Sequence, residues 1–237
     1  MTIDLSLRPK PQQCRAIIES KTQLTKTVWL VNFRMQNPPE IRFLPGQTIS
    51  LHVGEGLNRS MSIASAPDDG THILMCHDVS PGGPGSQWTL NHTVGDVATF
   101  MAPLGIFILD KTSNRKKVLV ATGTGIAPFR SMLLDGITQP VTLYWGLRHE
   151  KDVYWNQEFE EFAHKHPNFI FKLTLSKPDE HWIGLKGRVT DHVLQEENDV
   201  TESEFYLCGN KEMVIDMEMK LLTKGIPKKQ VYKELYF

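Results

Sequence analysis

Two halves of the chain differ in how their hydrophobic positions are spaced. From Cys14 to about Phe107, short runs of β-branched and apolar residues are separated by closely spaced turn signals such as NPPE, LPGQ, PDDG and SPGGPG. Five runs have the composition of strands: CRAIIES, TVWLVNF, QTISLHV, HILMCHDV and DVATFM. This spacing predicts an antiparallel β-barrel or sandwich.

After about Lys116, compact apolar runs alternate with longer segments of helical spacing, and the pattern occurs four times. The pairs are KVLVAT with APFRSMLLDGI, VTLYWG with NQEFEEFAHKH, FIFKLTLS with GRVTDHVLQE, and EFYLCG with EMVIDMEMKLLTKG. The final VYKELYF predicts one more strand. Such alternation is typical of an α/β domain with a doubly wound parallel sheet. We therefore expect two domains, residues 8–110 and residues 111–237.

The composition argues against several classes of protein. The 237 residues are 40% hydrophobic and 22% charged with a formal net charge of −1, which provides apolar material for buried cores and no excess charge. We therefore expect neither disorder nor a nucleic-acid partner. No run approaches the roughly 18 uninterrupted apolar residues of a membrane span, and the opening MTIDLSLRPKPQQ lacks the apolar centre of a signal peptide. We expect no membrane insertion.

The three cysteines, Cys14, Cys76 and Cys208, are too far apart to form a CxxC pair or a ferredoxin-like cluster. Their spacing predicts neither an iron-sulfur centre nor a cysteine zinc site in this chain, and we expect no bound metal. An odd and sparse set of cysteines also suits a reducing compartment. We therefore expect the protein in the cytoplasm.

A glycine-rich loop, ATGTGIAP at 121–128, follows the first strand of the second half and opens a helix. Its two glycines permit a tight turn and a close approach of the backbone to a ligand, and a helix N-terminus favours a phosphate. The loop differs from the GxGxxG dinucleotide fingerprint. Taken alone, its glycines are equally consistent with close packing of the helix on the strand.

Five short motifs occur in a distinctive order along the chain. They are RSMS at 59–62, GPGS at 83–86, PLGIF at 103–107, GTGIAP at 123–128 and LCGN at 207–210. In order and approximate spacing they resemble the ferredoxin-NADP reductase superfamily, and the resemblance extends from Cys14 to the C-terminus. It implies that a barrel domain holds FAD, that an α/β domain holds NAD(P)H, and that hydride passes from the nucleotide to the flavin.

The resemblance assigns the RSMS motif, including Ser60, to the flavin. Arg59 would pair with the FAD diphosphate, a charge-assisted contact that a guanidinium makes well. Ser62 would lie near the flavin N5, as a catalytic residue that hydrogen-bonds the atom receiving the hydride. The family usually has Tyr or Phe where Met61 stands, and that aromatic stacks on the flavin ring. A thioether covers a ring face through dispersion and sulfur-aromatic contact.

The resemblance assigns the GPGS motif to the same diphosphate. Gly83 and Gly85 would let the backbone approach it, and a helix beginning near Ser86 would offer its N-terminal N–H groups. Within that helix we expect Trp88 and Leu90 in the core. The histidines need no catalytic role, and we expect His77 and His92 in loops or on the surface.

In the second half, the resemblance assigns a nicotinamide site to the ends of two strands. Cys208 would pack against the nicotinamide ring as a catalytic residue, with Gly209 beside it, and Thr124 and Gly125 would lie across the same pocket. A buried structural thiol is the alternative for Cys208.

Two more residues at strand ends, Arg148 and Ser176, would reach the adenosine half of the nucleotide; solvated loop residues are the alternative. Arg148 and Lys151 would also suit a 2′-phosphate, which mildly favours NADPH, while Glu150 and Asp152 oppose that inference.

The C-terminal ELYF resembles the family's terminal acidic-x-aromatic pattern. An aromatic there covers the flavin face that the nicotinamide must occupy. Tyr236 aligns best with the position and would be a catalytic residue, because the ring has to move before hydride transfer. Phe237 is the other candidate and would bind the cofactor, and a plain apolar strand end is the alternative for both.

The final electron acceptor is open at this point. A separate iron-sulfur or haem protein is the first hypothesis, because this chain lacks a cysteine cluster. The second is an NAD(P)H:flavin or ferric reductase with a diffusible acceptor, because YWGLRHEKDVYWNQEFEE and HPNFIFKLTLSKP resemble flavin-reductase members of the superfamily. The third is a non-catalytic nucleotide-binding subunit that senses redox state, with Met61 marking a degraded flavin site.

Overall fold

The computed structural model describes residues 8–197 and 202–236. The chain divides into two compact units, one made of Met1–Asp110 with Ala127–Gly136 and the other of Lys111–Ile126 with Ile137–Phe237. Across the residues that the structure describes, no helix combines the length and the apolar composition that a membrane span requires.

The first unit contains an antiparallel sheet of six strands in the order β4-β3-β6-β1-β2-β5. The strands are β1 Gln12–Gln23, β2 Val28–Asn37, β3 Thr48–Gly54, β4 Leu57–Ser62, β5 His72–Asp78 and β6 Val97–Leu104, and helix α1, Pro84–Asn91, lies between β5 and β6 in sequence. Ile63, directly after β4, forms an antiparallel bridge with Met75 in β5. The two outer strands of the sheet therefore meet, and the sheet closes into a barrel.

Five of these six strands are predicted from their apolar runs, whereas β4 is not. The first four residues of β4 are exposed and only Ser62 is buried, so the strand carries no alternating apolar signal. It is held by backbone pairing with β3, in which Arg59 lies opposite Leu51 and Ser62 opposite Thr48. The RSMS motif therefore lies on a strand.

The second unit contains a sheet of six parallel strands in the order β10-β9-β8-β7-β11-β12. The elements in the second half of the sequence are β7 Lys116–Thr122, α2 Ile126–Leu134, β8 Val141–Leu147, α3 Asn156–Lys165, β9 Phe169–Leu175, β10 Leu185–Lys186, α4 Val189–Glu196, β11 Ser203–Asn210, α5 Lys211–Thr223 and β12 Val231–Tyr236. Of these, α2 belongs to the first unit except for its first residue. Only β10, a strand of two residues, is missed by the sequence. The expected fold class, an antiparallel barrel plus a doubly wound parallel sheet, is confirmed.

The order of the parallel strands fixes where ligands bind. From β7 the chain moves outward through β8, β9 and β10, and then returns to the other side of β7 with β11 and β12. The direction of winding therefore reverses between β7 and β11. Ligands of doubly wound sheets bind at such a switch point, outside the carboxyl ends of the strands.

A buried ion pair joins β7 and β11 at their opposite, N-terminal ends. Lys117 and Glu204 are neighbours in the strand pairing, and their side chains approach to 2.6 Å between Nζ and Oε2. Lys117 is fully buried, and its Nζ also donates to the carbonyl oxygen of Ser113 at 3.1 Å. This geometry satisfies both charges inside the unit.

Candidate functional site

The barrel brings together residues from β4, β5 and the first turn of α1. A Cβ atom built on Gly85 would lie 3.3 Å from Arg59 Cγ, 3.4 Å from Met61 Cε and 3.5 Å from His77 Cε1. We call these four residues, Arg59, Met61, His77 and Gly85, the α1 cluster. The cluster contains residues of both the RSMS and GPGS motifs, which the sequence resemblance assigns to the same ligand.

The start of α1 is suited to an anion. The N-cap is Gly83, which has no side chain to cap the helix, and the first turn contains no acidic residue. The first backbone N–H groups of a helix have no partner within the helix and carry partial positive charge. Arg59 is exposed, and its Nη1 donates to its neighbour, the Asn58 carbonyl oxygen, at 2.8 Å.

These features fit the diphosphate of FAD. The aliphatic part of Arg59 borders the helix start, with Cγ 3.3 Å from the position of a Cβ on Gly85, so a side chain at Gly85 would take up this space. A helix start and an arginine on the adjacent strand are groups that bind phosphates. Ser60 is exposed on the same strand.

Two details of α1 correct the sequence expectations. The helix begins at Pro84 rather than near Ser86, since Pro fits a first helical turn without losing a hydrogen bond. Ser86 therefore lies inside the first turn, where it is buried. Trp88 is buried as expected, but Leu90 is 44% exposed and does not belong to the core.

Met61 and Ser62 lie at the end of β4, next to the barrel core. Met61 is partly buried and packs against the core cluster that contains Ile49, Met75 and Trp88. Its Cε is also one of the atoms that surround Gly85. Ser62 is buried.

His77 lies on β5, in the predicted strand HILMCHDV, and it is only partly exposed rather than a surface residue. Its Nδ1 is 2.8 Å from Oγ1 of Thr89, which is buried on α1. Burial lowers the pKa of His77, and the charge of neighbouring Asp78 offsets this only in part. In the sequence, a site near the GPGS turn is indicated for His77 only by its position on the strand that leads into that turn.

In the second unit, the glycine loop meets β11 at the switch point. Gly123–Gly125 form a 3-10 turn directly after β7. A Cβ atom on Gly125 would lie 2.3 Å from the Cys208 carbonyl oxygen and 2.7 Å from Gly209 Cα. The GTGIAP and LCGN motifs are therefore in backbone contact, and Gly125 is needed for that contact.

The side chains near this contact differ in exposure. Cys208 is 0% exposed, and Thr124 is partly exposed. Beyond Gly209, the backbone N–H of Asn210 donates to Thr122 Oγ1 at 3.0 Å, and the Asn210 side chain caps α5. The 121–128 loop and the LCGN motif are thus joined both by close backbone packing and by a hydrogen bond.

Arg148 and Ser176 lie at the same edge of the sheet, one residue beyond β8 and β9. Both are exposed. The Ser176 backbone N–H donates to the Leu147 carbonyl oxygen at 3.0 Å, and the Lys177 N–H donates to the Arg148 carbonyl oxygen at 2.9 Å. The two strand ends therefore run side by side beyond the sheet.

The two carboxylates near Arg148 are engaged with the backbone. Glu150 Oε1 accepts from the Asp179 N–H at 2.9 Å, and Asp152 Oδ2 accepts from the His149 N–H at 3.1 Å. The neighbouring Lys151 is exposed.

At the end of the chain, β12 pairs with β11, and Tyr236 lies opposite Asn210. The backbone of Tyr236 thus reaches the carboxyl edge of β11, while its side chain and Phe237 lie outside the described residues. The roles expected of the two aromatics stay predictions.

Similarity to known proteins covers nearly the whole chain. A family model described as "Oxidoreductase NAD-binding domain" matches residues 119–218. The electron transfer component of toluate 1,2-dioxygenase from Pseudomonas putida is 30% identical, and the match covers 96% of this chain and 69% of that protein. Ferredoxin-NADP reductase B from Sorangium cellulosum is 29% identical, with 87% of this chain and 90% of that protein covered.

Solved structures share the fold at lower sequence identity. The Amycolatopsis cytochrome P450 reductase GcoB superposes with a TM-score of 0.88 at 24% identity, covering 96% of this chain and 70% of that one. The FAD/NAD-binding domain of nitric oxide dioxygenase from Vibrio cholerae gives a TM-score of 0.82 at 20% identity, covering 94% and 98%. At these identities the likeness establishes the arrangement of the two units' elements and no more.

Proposed function

The chain belongs to the ferredoxin-NADP reductase superfamily and is an FAD-dependent NAD(P)H oxidoreductase, and we propose that it passes electrons to a separate iron-sulfur or haem protein. The family, the enzyme class and the cofactors FAD and NAD(P)H are those that the five ordered motifs predict. The observation that carries the choice of acceptor is the similarity to the electron transfer component of toluate 1,2-dioxygenase over 96% of the chain.

The cysteine content supports a separate acceptor. This sequence has three cysteines, and all three are buried thiols that form no disulfide. A cluster ligated by cysteines alone takes four thiolates, so this chain cannot build one. Electrons collected here therefore leave to a centre outside these residues.

We propose that the α1 cluster binds FAD in the barrel unit. Arg59 would hold the diphosphate by charge-assisted hydrogen bonds, and the N–H groups near Gly85 and Ser86 would complete the contact. Met61 would cover one face of the flavin ring, and Ser62 would hydrogen-bond its N5. FAD, when bound, accepts a hydride and releases the two electrons singly or together.

We propose that the switch point between β7 and β11 binds NAD(P)H. Gly125 allows the loop backbone to lie against β11, and the start of α2 favours the pyrophosphate. Cys208 and Thr124 would flank the nicotinamide, with Gly209 beside them. The protein's part is to align the nucleotide and exclude water.

We also propose NADPH as the preferred donor. Arg148 and Lys151 are exposed, whereas Glu150 and Asp152 already accept backbone hydrogen bonds. This leaves the cations as the groups best able to meet a 2′-phosphate, with Ser176 next to them. An Arg148→Gln variant should lose about tenfold in kcat/KM for NADPH relative to NADH. An unchanged ratio of kcat/KM for NADPH to kcat/KM for NADH would oppose this preference.

The cytoplasmic location expected from the cysteines stays a prediction.

The acceptor is tested by anaerobic flavin reduction followed by steady-state assays. NAD(P)H should bleach the absorbance of the purified FAD-loaded protein, and cytochrome c or a ferredoxin should then reoxidise it faster than free riboflavin or FMN. Faster turnover with the free flavins or ferric chelates would favour a diffusible acceptor instead. Nucleotide binding without bleaching would favour a redox-sensing subunit.

An Arg59→Gln variant tests the flavin site directly. It should retain the fold and lose FAD, with a rise of about tenfold or more in the Kd because a charge-assisted hydrogen bond is lost. Arg34→Gln, on an exposed arginine of β2 that pairs with Glu19, is the matched control. Equal FAD affinity in both variants would exclude Arg59 from the site.

A further inference from the structure

One backbone carbonyl in the glycine loop accepts hydrogen bonds from three donors. The carbonyl oxygen of Gly123 accepts from the indole Nε1 of Trp145 at 2.9 Å and from the hydroxyl of Tyr154 at 3.3 Å. It also accepts from the backbone N–H of Ile126, which is shared with Thr124 O. A carbonyl oxygen has two lone pairs, so this oxygen is fully used.

The two side-chain donors belong to a cluster of aromatic rings, which we call the aromatic brace: Trp145, Tyr154, Trp155 and Phe159. Trp145 is fully buried on β8, a strand in which every residue is buried. Its ring packs edge-on against Tyr154 at 4.9 Å and against Phe159 at 6.0 Å between centroids. The indole and phenol are therefore held in fixed positions under the loop.

The brace contains a strained backbone residue. Trp155 has φ +53° and is the sole non-glycine residue with positive φ within residues 8–197 and 202–236. It precedes α3, and its ring packs edge-on against Tyr154 at 5.2 Å. Left-handed conformations at bulky residues persist where the surroundings enforce them, and they concentrate at functional sites. The strain at Trp155 is thus located next to the residue that donates to the loop.

The direction of the Gly123 carbonyl determines the direction of the next N–H group. In a trans peptide the C=O and the N–H point to opposite sides, so the N–H of Thr124 points away from Trp145 and Tyr154. Hydrogen bonds donated to a carbonyl also polarise its peptide, which strengthens the attached N–H as a donor. Gly123 itself has φ +54°, a conformation that glycine adopts without strain.

We propose that Trp145 and Tyr154 are positioning residues that hold the Gly123–Thr124 peptide so that its N–H faces the pyrophosphate of the dinucleotide. The ligand class is the diphosphate ester shared by NADH, NADPH and ADP-ribose. The inference rests on the proposed function, in which this loop binds NAD(P)H. It goes further by assigning a role to two aromatic side chains on β8 and before α3 that lie outside the five motifs.

The test compares Tyr154→Phe with Tyr232→Phe in the FAD-loaded protein. Tyr154→Phe removes one donor to Gly123 and keeps the ring, whereas Tyr232 stacks on Tyr206 at 4.5 Å on another strand pair. Calorimetric titration with ADP-ribose should give about a fivefold rise in Kd for Tyr154→Phe, the effect of one lost hydrogen bond. Adenosine, which has no phosphate, should bind as it does to the unmodified protein. Tyr232→Phe should leave both values within about twofold.

A local readout separates positioning from general damage. In ¹⁵N-labelled protein, Tyr154→Phe should shift the amide signal of Thr124 more than the signals of residues elsewhere on β7. The KM for NAD(P)H should rise with kcat at saturation unchanged. Trp145→Phe should weaken ADP-ribose binding further; if this buried substitution unfolds the protein, Tyr154→Phe decides alone.

The possible failures are distinguishable. The positioning role is overturned if Tyr154→Phe is folded and binds ADP-ribose normally, or if it weakens adenosine and ADP-ribose equally. If the unmodified protein binds neither ADP-ribose nor NAD(P)H, the proposed function itself fails.

Discussion

Gly85 and Gly125 are both located where a helix begins, but they are enclosed by different kinds of atoms. Around Gly85, the nearest atoms to an added Cβ are side-chain carbons of Arg59, Met61 and His77, at 3.3 to 3.5 Å. Around Gly125, they are backbone atoms of Cys208 and Gly209, at 2.3 to 2.7 Å. The first site is thus formed by movable groups and the second by fixed main chain.

The two sites therefore tolerate substitutions to different degrees. Side chains around Gly85 can change rotamer, so the proposed flavin site can accept a methionine at position 61 where the family usually has an aromatic ring. The backbone around Gly125 is held by the pairing of β7 with β11, in which Cys208 lies opposite Ala121. A substitution at Gly125 should therefore reduce the free energy of unfolding more than one at Gly85.

The largest expected effect is that of Gly125→Ala. Its Cβ would overlap the Cys208 carbonyl, so the loop or the end of β11 must shift, and the free energy of unfolding should fall by about 3 kcal/mol. Gly54→Ala is the control, because its Cβ would make an ordinary contact of 3.7 Å with Leu57 and should change stability by less than about 0.5 kcal/mol. Denaturant titration measures both. Equal stabilities for the two variants would show that the backbone at Gly125 is as adaptable as side chains.

The second prediction concerns Gly85→Ala. The methyl group would fill the cradle among the three side chains, so FAD binding should weaken by about tenfold while the free energy of unfolding changes by less than about 1 kcal/mol. Recovery of FAD fluorescence on dilution gives the affinity. If Gly85→Ala lowered the free energy of unfolding as much as Gly125→Ala, the surroundings of Gly85 would be no more adaptable than those of Gly125.

A smaller effect is expected from Met61→Tyr. Met61 is partly buried at the edge of the barrel core, so a larger ring has space to extend toward the flavin. Its flat face should tighten FAD binding by about threefold, since aromatic pairs add about 0.5–1.5 kcal/mol beyond area burial. Met61→Leu keeps the size without the sulfur or the ring and serves as the control. If Met61→Tyr bound FAD more weakly than the unmodified protein, the side chains of the α1 cluster could not rearrange to accommodate the larger ring.

The smallest effect is a pH dependence that arises from His77. Burial lowers the pKa of His77 in the folded state, so the unfolded chain binds a proton more readily than the folded one. The stability contributed by neutral His77 is present above its ordinary pKa and is lost as the pH falls through the lowered value. In the FAD-free protein, the Tm of His77→Gln should therefore decrease less on acidification than the Tm of the unmodified protein. An unchanged slope would show that other groups cause it.

The sequence predicts most of the fold because the core strands carry their own signal. Strand β8 is buried throughout, and its apolar run VTLYWGL is recognisable without any partner. Strand β4 was missed since its exposed residues depend on pairing with β3, and the first turn of α1 was misplaced because proline begins a helix as readily as it ends one.

The candidate sites are only partly predictable from sequence. The motifs identify Arg59, Gly85 and Gly125, but they do not show which atoms surround each glycine. The contact of His77 with Thr89 requires β5 to pack on α1, and Trp145 reaches Gly123 through the pairing of β8 with β7. Such contacts are set by tertiary packing, which hydrophobic spacing alone does not encode.

The buried pair of Lys117 and Glu204 constrains how this sequence can evolve. Losing either partner leaves the other charge buried and unpaired, at a cost of about 3–5 kcal/mol, while replacing both with apolar residues of similar volume is often close to neutral. A lineage that moves between these two states must pass through a destabilised intermediate. Among descendants of this chain, positions 117 and 204 should therefore change together or not at all.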